Sequence, residues 1–169
     1  GGELALTSTA TTDNDGASIQ GNEIFAVAAN KNIYFETRLK CTDADQTDLC
    51  AGLTVNFATN PEAMLTAADR IVFQVDDGSA SILCITEKDG TETNTDSGIE
   101  LEDATYIRLG FSVNGTGAVK FYIDDTLVAT HGTNINDDEN MTVAAMSLSG
   151  NATGTRVTTL DYIIAAETR

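Results

Sequence analysis

Apolar and polar residues alternate with a period of two along stretch after stretch of this chain. Successive side chains of a strand point to opposite faces, so the pattern gives a strand one buried face and gives a helix none. Ile33, Phe35, Thr37 and Leu39 share one face, with Tyr34, Glu36, Arg38 and Lys40 on the other. Ala51, Leu53, Val55 and Phe57 repeat the pattern, as do Ile71, Phe73 and Val75, and Leu83 with Ile85. Ile107, Leu109, Phe111 and Val113 lead through Asn114-Gly115 into Val119, Phe121 and Ile123, and Asp124-Asp125 turns the chain into Leu127-Val128-Ala129. Further strands are predicted over 4–7, 141–148 and 157–165. Asp76-Asp77-Gly78 and Lys88-Asp89-Gly90 read as turns, and Asn114-Gly115 supplies the positive φ values that a tight hairpin turn needs. About ten short strands joined by polar turns predict an all-β fold, a two-sheet antiparallel β-sandwich. One short helix is predicted, capped by Asn60, with Pro61 and Glu62 in its first turn and Arg70 at its end. Residues 1–18 read as an N-terminal arm or loop and residues 19–169 as the sandwich domain.

Composition narrows the partners. Nine basic residues face 26 acidic ones, a formal charge of −17. Nucleic acid is excluded as a partner, since phosphate binding needs a basic face. An anionic membrane surface repels such a chain, and no apolar run approaches the roughly 18–20 residues of a membrane span. Twenty-five threonines suit half-exposed strands. The scarcity of lysine beside so many Asp is either an ordinary acidic surface or a habit of salty water, where screening weakens self-repulsion.

Several stretches, in order, resemble a known family: "IYFETRLK" (33–40), "AGLTVNF" (51–57), "DRIVFQVDDGS" (69–79), "YIRLGFSVNGTGAVKFYIDDTLVAT" (106–130) and "VTTLDYI" (157–163). Together they are similar to concanavalin A-like jelly rolls of the laminin-G and legume-lectin type. Asp125 stands where that family's hairpin usually has Gly. Ile19-Gln20-Gly21, Ile24-Phe25 and the acidic loop "TDADQTDL" (42–49) bring the resemblance nearest to virion-associated proteins of tailed bacteriophages. The resemblance implies a capsid decoration protein on the virion exterior, with the major capsid protein and sister subunits, a trimer for preference, as partners. A carbohydrate-binding adhesin of the same fold is the alternative, with a glycan as ligand.

The chemistry-bearing residues are weighed against plain structural roles. Glu87, Asp89 and Glu92 spell the Glu-x-Asp-x-x-Glu of β-glucanases, in which alternation would bring a retaining carboxylate pair together. Asp89-Gly90 reads as a hairpin turn that splays them, and no Trp is present to floor a sugar site. Asp43, Asp45 and Asp48 fit either a solvated loop or an oxygen-rich calcium site, as do Asp13, Asn14 and Asp15, and Asp137, Asp138 and Glu139. His131, the one histidine, reads as an exposed loop residue. Gly115 and Gly117 lie between two strands, which is no phosphate cradle. Cys41 and Cys50 flank a loop that a disulfide could close, although their parities are opposed. Cys84 reads as a plain thiol on the face opposite Leu83 and Ile85. Phe35, Phe57, Phe73, Phe111 and Phe121 are predicted inward, and Tyr34, Tyr106, Tyr122 and Tyr162 outward. The chain is accordingly expected not to be an enzyme. No catalytic, cofactor-binding or metal-binding residue is assigned, and calcium is the one cofactor left open.

Overall fold

A computed structural model describes residues 2–8, 12–57, 60–151 and 153–168. Twelve strands form: β1 (Leu4–Thr7), β2 (Gly16–Gln20), β3 (Asn32–Cys41), β4 (Thr47–Thr54), β5 (Arg70–Val75), β6 (Ser81–Lys88), β7 (Thr91–Glu100), β8 (Ile107–Asn114), β9 (Ala118–Ile123), β10 (Thr126–His131), β11 (Thr142–Ser149) and β12 (Val157–Glu167). They build two antiparallel six-stranded sheets, β1-β12-β3-β8-β9-β10 (sheet A) and β2-β11-β4-β5-β6-β7 (sheet B). The expected all-β jelly-roll sandwich is therefore the architecture. The segment read as an arm supplies β1 to sheet A, beside β12, and the start of β2 to sheet B, beside β11.

The main core lies between the sheets and takes the inward residues the alternation picks out. Ile33, Phe35 and Leu39 meet Leu109, Phe111, Phe121 and Ile123 from sheet A, and Leu49, Leu53, Ile71 and Phe73 from sheet B. Phe35 stacks on Phe111 at 4.9 Å, and Phe73 meets Phe121 edge-on at 5.2 Å. Such pairs contribute about 0.5–1.5 kcal/mol beyond their buried area.

Sheet B differs from expectation in being buried on both sides over β11, β4, β5 and β6. Its outer face carries Cys50, Val72, Ile85, Ala144, Met146 and Leu148, which pack with Phe57 and Met64 of the β4–β5 connection as a second apolar cluster. On β6 this reverses the expected parity, since Ile82 and Cys84 enter the main core while Leu83 and Ile85 face the connection. Alternation gives two faces, but which is inner is undecided when both are apolar. Phe57 is likewise displaced from the main core to this outer cluster. The predicted helix shrinks to a 3-10 turn over Pro61–Met64, with Asn60 making no side-chain cap bond. Another 3-10 turn spans Ala44–Gln46. β7 was not legible as a strand, because its residues are nearly all polar and it lies at the sheet edge.

Candidate functional site: the outer face of sheet A

The outer face of sheet A is assembled from the residues that alternate with the core set. β3 contributes Tyr34, Glu36, Arg38 and Lys40. Cross-strand pairing sets Tyr34 opposite Ser112, Glu36 opposite Gly110 and Arg38 opposite Arg108. On the far side of β8, Ser112 faces Lys120 and Gly110 faces Tyr122. β12 arrives with a bulge between Leu160 and Tyr162. The extra residue, Asp161, reverses the parity of all that follows. Tyr162, Ile164 and Ala166 thereby align with outward Arg38, Glu36 and Tyr34, while Ile163 and Ala165 pack on the core.

β8 is the floor of a trough, because Gly110 and Ser112 are short where their neighbours on β3 and β9 are long. The hollow above Gly110 holds about 580 Å³ and is flanked by Tyr34, Glu36, Tyr122, Asp125 and Ile164. An adjoining hollow of about 320 Å³ is lined by Asn32, Asn114 and Lys120, with Tyr34, Ser112 and Tyr122 shared between the two. All four tyrosines of the chain border this face, as expected of them, Tyr162 by way of the bulge at Asp161. Tyr106 lies under two cations, with the Arg38 guanidinium 4.0 Å and the Lys40 ammonium 4.4 Å from its ring centroid. Its hydroxyl donates to Glu3, which raises its pKa. The Tyr162 hydroxyl donates to Glu36 at 2.5 Å, and burial with that carboxylate pushes its pKa up to about 12. Arg38 is paired with Asp161 at 2.8 Å and Arg108 with Asp125. Lys120 has no ion pair among the described residues.

The residues singled out from the sequence fall elsewhere. Asp89 and Gly90 do form the turn, with φ of 51° and 72°. The carboxylates do not splay, however: Glu87 and Glu92 are cross-strand partners. Arg70 clamps both, with Nε 2.7 Å from Glu87 and NH2 2.8 Å from Glu92. The same guanidinium donates to the carbonyls of Met64 and Leu65 and to Gln74, tying the β4–β5 connection to sheet B. No signal in the sequence marked Arg70, which reads as a helix end.

The acidic loops are bound into the scaffold. Asp43 lies 3.1 Å from Arg156, Asp48 accepts the Asp77 N–H at 2.9 Å, and Asp103 accepts that of Ala44 at 2.8 Å. Burial still raises the Asp48 carboxyl above its ordinary value. Asn14 bonds Glu62, and its N–H reaches Ser149. Asp137 and Asp138 both approach Lys88. Among the described residues no group of three or more His, Cys, Asp or Glu is arranged to hold a metal ion. Gly115 and Gly117 serve the β8–β9 turn, donating to Lys31 and Asn114.

His131 is not an exposed loop residue. It is 3 % exposed and ends β10 between the sheets, beside Phe121. The three cysteines are free and buried. Cys41 belongs to the main core and Cys50 to the cluster outside sheet B, so the opposed parities hold and no bridge joins them. Burial pushes the Cys41 thiol up to about 11 and those of Cys50 and Cys84 up to about 12.

No protein-family model and no curated protein matches the sequence. Solved structures do match the fold. A Bacillus licheniformis β-glucanase is 14 % identical with a TM-score of 0.66, over 95 % of this chain and 76 % of that one. An alginate lyase is 11 % identical with a TM-score of 0.67, over 98 % and 75 %. The potassium-bound carbohydrate recognition domain of Emp46p is 9 % identical with a TM-score of 0.66, over 92 % and 79 %. The expectation of a chain that is not an enzyme is overturned by this comparison, since glycoside hydrolases and an alginate lyase are among its structural neighbours. That expectation also leaned on Glu87 and Glu92 being splayed, and they stand side by side. What the likeness establishes is the fold: a concanavalin A-like jelly roll shared with proteins whose names are those of glucanases, lyases and a carbohydrate recognition domain.

Proposed function

We propose that the chain is a virion structural protein, a capsid decoration protein on the outer surface of a tailed-bacteriophage head, holding major capsid protein and sister subunits. The observation that carries this reading is the outer face of sheet A, where Tyr34, Leu127 and Ile164 are exposed beside Tyr122 and Tyr162. A sheet face that carries exposed apolar and aromatic side chains among paired charges grips protein by shape, and many copies on a repeating lattice make modest contacts sufficient. The acidic remainder repels packaged DNA. The test is to add purified chain to undecorated heads and image them. Saturable density at symmetric lattice positions is the expected result; heads left bare remove the reading.

A second reading, a carbohydrate-binding domain, is favoured by the hollow over Gly110. Tyr34 and Tyr122 offer rings for a pyranose, with Glu36, Ser112 and Lys120 as hydrogen-bonding groups. The fold shared with a carbohydrate recognition domain supports it. A glycan array separates the two. Saturable binding to a defined sugar, lost in Tyr122→Ala, favours this reading, and its absence leaves the first.

A further inference from the structure

We propose that the outer face of sheet A packs against the same face of a second copy of this chain, related by a two-fold axis. This rests on the reading of a protein that holds sister subunits, and it assigns the outer face of sheet A to that contact, so that the capsid contact falls to the rest of the surface.

The exposed apolar surface is concentrated there. Among the described residues five large apolar side chains stand exposed, and three of them, Tyr34, Leu127 and Ile164, belong to this face. The other sheet shows how the chain treats such a face when it must not stick: the β4–β5 connection lies over sheet B and buries Met64 and Phe57 against it. No second apolar cluster forms over sheet A among the described residues. Apolar and aromatic side chains left open on a sheet face, here Ile164, Tyr34, Tyr122 and Leu127 among charged neighbours, mark a contact site.

Charge selects the occupant. Arg38, Lys40, Arg108 and Lys120 lie here against Glu3, Glu36, Asp125 and Asp161, so the face is close to neutral. The remaining five basic and 22 acidic residues leave a formal charge of −17 on the rest of the chain. Two copies that meet on sheet A bring their near-neutral faces together and keep the carboxylates apart. An approach through any acidic flank sets like charges against each other, or sets Ile164 and Leu127 against carboxylates. Desolvating a carboxylate against an apolar side chain is unfavourable without a partner.

Shape agrees with a self-complementary contact. The face carries a hollow, over Gly110, and projecting side chains beside it, Tyr34 and Ile164. Under a two-fold axis each copy offers both, which is what an isologous interface requires. Such a contact closes at two copies. The trimer expected from the sequence would need a heterologous one.

Sedimentation equilibrium of the purified full chain, across about 1–100 µM, tests the proposal. The wild type is expected to be a dimer. Ile164→Glu and Leu127→Glu, both at exposed positions that leave the core intact, are expected to raise the dissociation constant at least about tenfold. Ile24→Glu, at an equally exposed position off this face, is expected to leave it unchanged. A wild-type monomer, a trimer, or a dimer that both Glu variants leave intact overturns the proposal. So does dissociation by Ile24→Glu equal to that by Ile164→Glu. The measurement needs no capsid: a monomer that still occupies phage heads removes the pairing alone, and a dimer that leaves heads bare removes the capsid reading alone.

Discussion

His131 illustrates how much one buried polar residue can specify. Thr86 donates its hydroxyl proton to the Thr133 carbonyl at 3.1 Å, so it accepts from His131 Nδ1, 3.0 Å away. Nε2 then accepts from the Thr95 hydroxyl at 3.0 Å. The network fixes a neutral imidazole that ties the edge of sheet A to β6 and β7 of sheet B. Burial holds its pKa below the ordinary histidine value. The unfolded chain therefore binds the proton more readily than the folded one. Stability from this residue is complete above about pH 6.5 and is lost as pH falls from there through the lower folded value. The thermal midpoint of the wild type should fall more steeply from pH 7 to pH 5 than that of His131→Gln. At pH 7.5 the variant should itself be less stable by about 1–2 kcal/mol in urea unfolding. Equal slopes for the two proteins would remove His131 as the acid-sensitive group. The sequence hid this role because the bulge between Leu127 and Ala129 shifts the parity of β10, turning its final residue inward.

At the scale of elements, three devices decide the architecture. Arg70 fastens the β4–β5 connection over sheet B through two carboxylates and two carbonyls. Arg70→Met leaves Glu87 buried without its cation, and should cost about 3–5 kcal/mol in denaturant unfolding. Hydrogen exchange of residues 62–65 should then exceed that of β4, because the connection is freed before the sheet. Gly52 is the second device. A Cβ there would lie 2.2 Å from the Ile71 carbonyl oxygen, at φ +156°. Gly52→Ala must separate β4 from β5, and should cost about 3 kcal/mol or more. A loss under about 1 kcal/mol would mean that the two strands move apart freely. The third device is the bulge at Asp161, which turns Tyr162 and Ile164 to the outside. Strands with one apolar face were legible as β3, β8 and β9, where alternation leaves one choice. β4 was legible too, with Ala51 and Leu53 inward and Cys50 outward, whereas the faces of the doubly buried β6, the polar β7 and the bulges in β10 and β12 were not, since a repeat of two fixes faces but neither their assignment nor an inserted residue.

For the molecule as a whole, fold class was written in the alternation, and the four tyrosines were already legible as outward. That they gather into a trough depends on strand order and on Gly110 lying between Glu36 and Tyr122, which only non-local pairing supplies. The same is true of Arg70, whose two carboxylates come from β6 and β7. Self-repulsion at −17 should make stability depend on ionic strength. The thermal midpoint should rise as salt increases from about 0.01 M to 0.5 M, over which the screening length shrinks from roughly 30 Å to a few ångströms. A flat response in calorimetry would mean that the carboxylates are already compensated locally. The uneven distribution of that charge has its own consequence. At neutral pH it works as a selection rule, leaving one way up in which crowded copies tolerate each other. Acid that protonates the flanks abolishes the rule, and ordered association should then give way to indiscriminate clumping.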